Sequence, residues 1–423
     1  MIDNAHMAGN WPLTDEELEI RDEFRLLLLC ARIRIEPQQR ELIRELALKQ
    51  LDWEFIYDKA DSHALIPLLY RNLSEICADQ VPAAIFQRLK SGYMTNAERS
   101  QVFTTELITL LRILESADIS AVPYKGPALA TLAYGDITLR RFGDLDVVIR
   151  LRDIIPAKLL LISHGYQWLR YEGMVTAPDE IKKNRFWHEY NFMHPDKIAT
   201  IDLHWAISNQ RFPFDIDLDS LWDSLEPARL LDQDIRAFPT EVMLLFLCVH
   251  GSKDLWWKRI GWIVDIAQLL VSNPDLNWSY SFELATKTGT RRTLLLGLAL
   301  ARELLQASLP ELVCNWIRSD KAVLALVEYV RQRLFNEETI PIRNRILERQ
   351  RFRIKVRERL RDRIPIYRHL VKAAFVMIFV PQKKDRELIK LPGALSVLYY
   401  LVRPARLTHR LWSHTTHRSD TTP

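Results

Sequence analysis

Glycine is scarce in this chain, with twelve in 423 residues, and its four cysteines are scattered. So little glycine excludes a glycine-rich or low-complexity chain and points to an ordered, largely helical protein. Cys30, Cys77, Cys248 and Cys314 form no CxxC pair and sit near no histidine-rich stretch. They read as reduced core thiols of a cytoplasmic protein. No apolar run approaches the roughly 20 residues needed to span a bilayer. The longest, Ala373 to Val380, is under half that length. The N-terminus is acidic around Asp15, Glu16 and Glu17, unlike a secretory leader.

What is present is a soluble composition, 48% hydrophobic and 26% charged, long enough for two or three domains. The net charge of +4 hides an asymmetry: residues 341–423 carry 20 Lys and Arg against 6 Asp and Glu. An acidic body therefore bears a basic tail.

The apolar spacing predicts helices from residue 14 to about 119. Thr14 and Glu17 have the form of a capping box, Pro37 suits the first turn of a second helix, and Pro82 opens a long third pattern. The period then changes. "ISAVPYK" predicts a short strand, "PALATLAYG" a helix ending at Gly135, and "DLDVVIRL" a buried strand. "DIIPAKLLLISHG" follows as a helix, then "EYNFMHP" and "ATIDLHWAI" as two strands about a Pro195-Asp196-Lys197 turn. From Thr240 the helical period returns. The expected organisation is a helical region 1–95, an α+β core 96–232, a helical domain 233–335 and a basic helical tail 336–423.

Asp144 and Asp146 flank one leucine at the mouth of the "DLDVVI" strand, so both project from one face. Like charges this close repel unless a cation lies between them, and an oxygen-only ligand set favours Mg²⁺. Asp202, in the strand "TIDLHW", is the natural third carboxylate, brought beside the pair by an antiparallel neighbour. Such a triad suits the two-metal chemistry of phosphoryl or nucleotidyl transfer. Upstream, Lys125-Gly126 lies between a strand and a helix, where free amides and a close backbone approach favour phosphate.

Strand, glycine turn, helix, arginine pair and a DxD strand form the layout of polymerase-β-like nucleotidyltransferases. The segment resembles the bacterial nucleotidyltransferase-like family through Lys125-Gly126, Tyr134, Arg140 and Asp144-Leu145-Asp146. The likeness continues in Asp202, His204 and Trp205 of "IDLHW" and in "CVHGSKDLWWKRIGWIVDIAQLL", with His250, Lys253, Trp256, Trp257 and Asp265. "SHALIPLLYRNL", containing His63, and "YYLVRP" also match. Lys-Gly here replaces the Gly-Ser of the wider superfamily, which removes a serine contact to triphosphate.

The resemblance implies an α+β fold, a polymerase-β-like nucleotidyltransferase core flanked by helical regions. It implies transfer of an NMP from an NTP, ATP by default, to an acceptor that is a small molecule, glycan precursor, peptide or protein. Asp144, Asp146 and Asp202 would hold one or two Mg²⁺ ions, with Mn²⁺ able to substitute. Lys125, Gly126 and Arg140 would cradle the triphosphate, and His250, Lys253 and Arg259 form either part of that cradle or a solvated basic helix face. His204 either hydrogen-bonds Asp202 or touches substrate, Asp265 pairs with a base, and the tryptophans pack. The competing readings are a catalytically inactive nucleotide-sensing or protein-interaction module and a nucleic-acid binder acting through the tail.

The tail alternates arginine with apolar residues and carries "AAFVMIFV" and "ALSVLYYLV" flanked by Lys and Arg. That pattern suits nucleic acid, an anionic inner-membrane surface, a partner, or the chain's own acidic body. It contains no recognisable DNA- or RNA-reading module.

Overall fold

Residues 20–169, 181, 187–335, 342–381, 385 and 392–416 are described by a computed structural model. The expected capping box at Thr14–Glu17 lies outside them. Five helices come first: α1 Asp22–Cys30, α2 Pro37–Ala47, α3 Trp53–Ser62, α4 Ile66–Ile76 and α5 Ala83–Glu115. Pro37 occupies the first turn of α2, as its missing amide favours, and the Glu36 and Gln39 side chains cap that helix reciprocally. At 33 residues, α5 runs unbroken through the 95/96 junction. Its buried residues divide there. Ile85 and Leu89 join the helical core, whereas Phe103, Leu107, Leu110 and Leu114 join the core beneath the sheet.

That sheet has five strands, β1 Ala121–Pro123, β2 Asp144–Ile149, β3 Gln167–Leu169, β4 Glu189–Met193 and β5 Thr200–His204. Their order is β1-β2-β5-β4-β3. Between β1 and β2 the chain makes α6, Gly126–Leu129, which widens through Tyr134 and stops at Gly135 in the left-handed region, φ 70°. After β2, helix α7 (Ile154–Ser163) crosses back over the sheet.

One expectation is corrected here. β5 pairs with β2 in parallel, with Asp146 opposite Asp202, and not in antiparallel fashion. The hairpin explains it: β4 and β5 are antiparallel to each other, and α7 carries the chain across so that β5 returns in the direction of β2, as a crossover connection requires. The apolar face of the sheet, Leu145, Val147, Ile149, Tyr190, Phe192, Ile201 and Leu203, is fully buried in one core with α5 and α7. Alternation then forces Asp144, Asp146, Asp202, His204, Glu189 and Asn191 onto the opposite face.

A second hairpin, β6 Glu226–Leu230 and β7 Gln233–Ala237, was not anticipated. Its turn uses Leu231 at φ 53°, without the Asn-Gly or Asp-Gly signal that normally announces such a turn. Helices α8 Thr240–Asp254, α9 Gly261–Ser272, α10 Trp278–Thr288, α11 Arg291–Leu305, α12 Glu311–Ser319, α13 Lys321–Phe335 and α14 Ile342–Val356 follow. All four cysteines are free and buried, as expected. Residues 360–423 form a separate unit containing α15 Leu360–Phe379 and α16 Tyr399–Thr416. Among the described residues, no helix is long and apolar enough to cross a membrane.

Candidate active site

The polar face of the sheet is arranged in cross-strand rows. In one row Asp146, Asp202 and Asn191 stand on adjacent strands, and in the next His204 faces Glu189. Ligand atoms of Asp146, Asp202 and His204 lie within 4.8 Å of one another. Asp144, two residues before Asp146 on the same face, is not part of that tightest group. It is solvent-exposed, whereas Asp146 is 5% exposed.

The three carboxylates differ in what holds them. Asp146 Oδ1 accepts from Lys125 Nζ at 3.0 Å and Tyr124 Oη at 3.4 Å, and lies 3.0 Å from His204 Nε2. Burial opposes its charge, but Lys125 and His204 outweigh burial and hold the carboxyl well below the ordinary range. Among the described residues, Asp202 accepts from Asn191 Nδ2, at 2.6 Å. Burial, with Glu189 and Asp146 adding repulsion, pushes it up to about 6. Asp144, although its residue surface is largely open to solvent, has a carboxyl that faces the crowded site, and the loss of hydration there followed by repulsion from Asp146 raises it. Among the described residues, no lysine or arginine pairs with Asp144 or Asp202. Asp144 and Asp202, like charges crowded beside Asp146, form a group that a cation would stabilise. The carboxylate oxygens suit a hard divalent cation, and the His204 nitrogen lies within the same tight group.

Lys125 and Gly126 sit against this row. Gly126 has φ +54°, and a Cβ there would lie 3.3 Å from the Asp144 carbonyl oxygen, so the residue must be glycine for the turn to pass so close. Lys125 is nearly buried, with its ammonium committed to Asp146.

Arg140 lies close enough to influence Asp144, but its guanidinium fork is engaged elsewhere. Nε and one Nη donate to Asp265 at 2.7 and 2.9 Å, and Tyr134 Oη donates to the same carboxylate at 2.7 Å. The expected base partner of Asp265 is therefore Arg140. Arg259 donates to the Arg141 carbonyl at 2.9 Å and acts electrostatically on Asp144 and Asp265. Arg141 pairs with exposed Asp61.

His250 and Lys253, on the last turns of α8, gather about Asp254: His250 Nδ1 is 3.2 Å away and Lys253 Nζ 3.7 Å. This is no freely solvated face. Burial, then Lys125, lowers His250 to about 4, and Lys253 acts on Glu189 and His188. After Asp254 the helix breaks at Leu255, a buried residue held at φ 77°, ψ 97°, backbone strain of a kind that gathers at functional sites. The break turns Trp256 back onto the helix, where its Nε1 donates to Ser252 Oγ at 3.0 Å. A Cβ on Gly251 would fall 2.3 Å from the Trp256 ring. The His-Gly pair and its tryptophan are thus a packing unit. His63 serves a related end: its Nδ1 accepts from the Ile260 amide at 3.3 Å and its carbonyl from Gly261 at 3.1 Å, tying α3 to the start of α9.

Sequence reasoning passed over His188, Glu189 and Asn191. A signal was there, since "EYNFM" alternates polar and apolar residues just as "TIDLH" does. His204, left open between two roles, contacts Asp146 through Nε2 and stands 3.2 Å from Glu189 through Nδ1.

Residues 49–306 match the sequence pattern of a family described as "Uncharacterised nucleotidyltransferase". Among solved structures, the chain is similar to the antibiotic-resistance factor ANT(2'')-Ia, at 12% identity over 45% of this chain and 91% of that one, with a TM-score of 0.30. It is also similar to an antigenic nucleotidyltransferase-like protein from Paracoccidioides brasiliensis, at 16% identity over 49% and 94% of the two chains, TM-score 0.32. No curated protein matches the sequence.

Proposed function

The chain belongs to this nucleotidyltransferase family, whose pattern spans more than half of it, and from that premise we propose that it transfers an NMP from an NTP to an acceptor oxygen, releasing pyrophosphate. The observation that carries the reading is the parallel register setting Asp146 beside Asp202, with Asp144 two residues away on the same face.

Asp144, Asp146 and Asp202 would hold the divalent cation, Mg²⁺ by ligand chemistry with Mn²⁺ as substitute, in one or two positions. When bound, the cation supplies positive charge to the reacting phosphate and the leaving pyrophosphate. Asp202, facing the acceptor hydroxyl beside the cation, receives its proton. The acceptor oxygen forms its bond to the α-phosphorus as the bond to the β-phosphate bridging oxygen breaks. Gly126 lets the backbone approach the triphosphate. Lys125 and Arg259 contribute charge, Arg140 holds the adjoining turn through Asp265, and Lys253 with His250 flanks the site from α8. ATP is the default donor, and the acceptor is a small molecule, a glycan precursor, a peptide or a protein.

The donors already on Asp146 Oδ1 support a second reading, in which the site senses a nucleotide without transferring it. One experiment separates the two. Purified protein is incubated with each α-³²P-labelled NTP, Mg²⁺ and cell extract, beside Asp146→Asn and Asp202→Asn. Transfer predicts label incorporation that falls by about a hundredfold or more in both variants. Nucleotide binding without label transfer or pyrophosphate release in the wild type supports sensing and ends the enzyme reading. The cell location consistent with this chemistry is the cytoplasm, with the basic 341–423 segment in contact with an anionic membrane surface. α15 supports that contact by exposing Val371, Phe375, Val376 and Phe379.

A further inference from the structure

Next to the carboxylates lies a second group, of different chemistry. His188 precedes β4, Glu189 opens it, and His204 ends β5 directly opposite Glu189. His188 Nε2 is 3.1 Å and His204 Nδ1 3.2 Å from the same oxygen, Glu189 Oε2, and the three ligand atoms lie within 4.8 Å of one another. Ligands bound at about 2.0–2.1 Å in a tetrahedral shell stand roughly 3.3 Å apart, so two of these separations are those of atoms sharing an ion.

A hydrogen-bonded trio would account for the same distances, but among the described residues neither ring nitrogen makes a hydrogen bond. Both histidines are more than nine-tenths buried, at 8% and 3% exposure. Two buried imidazole nitrogens aimed at one carboxylate, with no hydrogen bond to it among the described residues, leave electron pairs crowded together that need a positive partner. Among the described residues, no lysine or arginine pairs with Glu189. Lys253, whose charge reaches it, stands at Asp254. His204 is also oriented from behind. Its Nε2 contacts Asp146 at 3.0 Å, so a proton on Nε2 leaves the Nδ1 lone pair facing Glu189 and His188, the carboxylate–histidine–metal arrangement.

We infer that His188, Glu189 and His204 form a site for a borderline transition-metal ion of the Zn²⁺ class, separate from the all-oxygen Mg²⁺ group and joined to it through His204. Two imidazoles and one carboxylate select such an ion over Mg²⁺. Three protein ligands leave a fourth position for water. Once bound, the ion fixes the His204 proton on Nε2 toward Asp146 and ties the opening of β4 to the end of β5. The inference does not depend on nucleotidyl transfer.

The test is Co²⁺ titration of tag-free full-length protein in excess Mg²⁺, following the visible absorption of four-coordinate Co²⁺, with thermal melts in Zn²⁺. A stoichiometric band and a Zn²⁺-dependent rise in melting temperature are expected. His188→Ala and the isosteric Glu189→Gln should weaken Co²⁺ binding by about a hundredfold or more, since loss of a direct ligand exceeds the roughly 10–100-fold cost of losing an outer partner. Asp202→Asn should retain the band. The inference falls if the wild type shows no band, or if the band survives both His188→Ala and Glu189→Gln. It also falls if Asp202→Asn abolishes the band, because the carboxylates would then hold the ion. Two substitutions on the group guard against one of them merely unfolding the chain.

Discussion

Asp265→Asn removes the anion from a buried pair while leaving its shape. The Asp265 side chain is 4% exposed and that of Arg140 11%, so solvent screens little of the loss. Three bonds end on this carboxylate, two from Arg140 and one from Tyr134. Charge-assisted bonds are worth about 1.5–3 kcal/mol each, but bonds sharing an acceptor do not add, and asparagine keeps one carbonyl oxygen. Breaking a buried ion pair from one side costs about 3–5 kcal/mol, and about 4 kcal/mol is expected here. Urea unfolding followed by tryptophan fluorescence reads it, because Trp262 lines the same small pocket as Arg140 and Asp265. The double variant Arg140→Met/Asp265→Leu should recover most of the loss, since an apolar pair of similar volume leaves no unpaired charge. Burial opposes the Asp265 charge, yet Arg140 and Tyr134 hold its carboxyl below the usual range. A depressed carboxylate contributes its stability above its unfolded pKa of about 3.9 and loses it as pH falls through the native value. The gap between wild type and Asp265→Asn should therefore be full at neutral pH and narrow only below about pH 4. A loss under about 1 kcal/mol at neutral pH, or a double variant no more stable than Asp265→Asn, would refute the reasoning.

Gly126→Ala forces an L side chain into φ +54°, 3.3 Å from the Asp144 carbonyl; a stability loss of about 1 kcal/mol or more and reduced label transfer are expected, and a neutral urea midpoint would count against the close approach. Gly251→Ala drives a methyl into the Trp256 ring and should destabilise by about 1–3 kcal/mol, with Trp256→Leu in the same chain restoring part of it; no recovery would mean the glycine serves something other than the indole. For the tail, full-length protein should co-sediment with anionic phosphatidylglycerol vesicles more than with neutral ones, at roughly 1 kcal/mol per basic residue near the surface. Salt or Phe375→Asp/Phe379→Asp should release it, and binding indifferent to both would place the partner elsewhere.

The legible parts of the site were those written in local chain geometry. Asp144 and Asp146 share a face because strands alternate, Gly126 announces a tight approach, and Pro37 announces a helix start. Register was not legible. Asp146 meets Asp202 across 55 intervening positions, and the parallel sense of β5 depends on a hairpin and a crossover helix together, which no single stretch encodes. Arg140 shows the same limit: its nearness to the DxD suggested phosphate, but its partner Asp265 comes from a helix far along the chain. The β6–β7 turn escaped because Leu231 takes a conformation that glycine or asparagine usually advertises. Glu189 escaped because one carboxylate in a short strand gains meaning only from the histidines that fold beside it.

The long helix α5 has a practical corollary. Its 33 residues extend for about 50 Å at 1.5 Å per residue, and one end is built into the helical core while the other floors the sheet. It is a shared beam, so the sheet that carries the proposed site cannot be excised at the boundary that composition suggests. A fragment starting at residue 96 would cut the beam midway, baring its severed end and stripping the helical core of Ile85 and Leu89. Truncations that spare the sheet must begin before residue 83, and even those carry a strip of helix whose packing partners have been left behind.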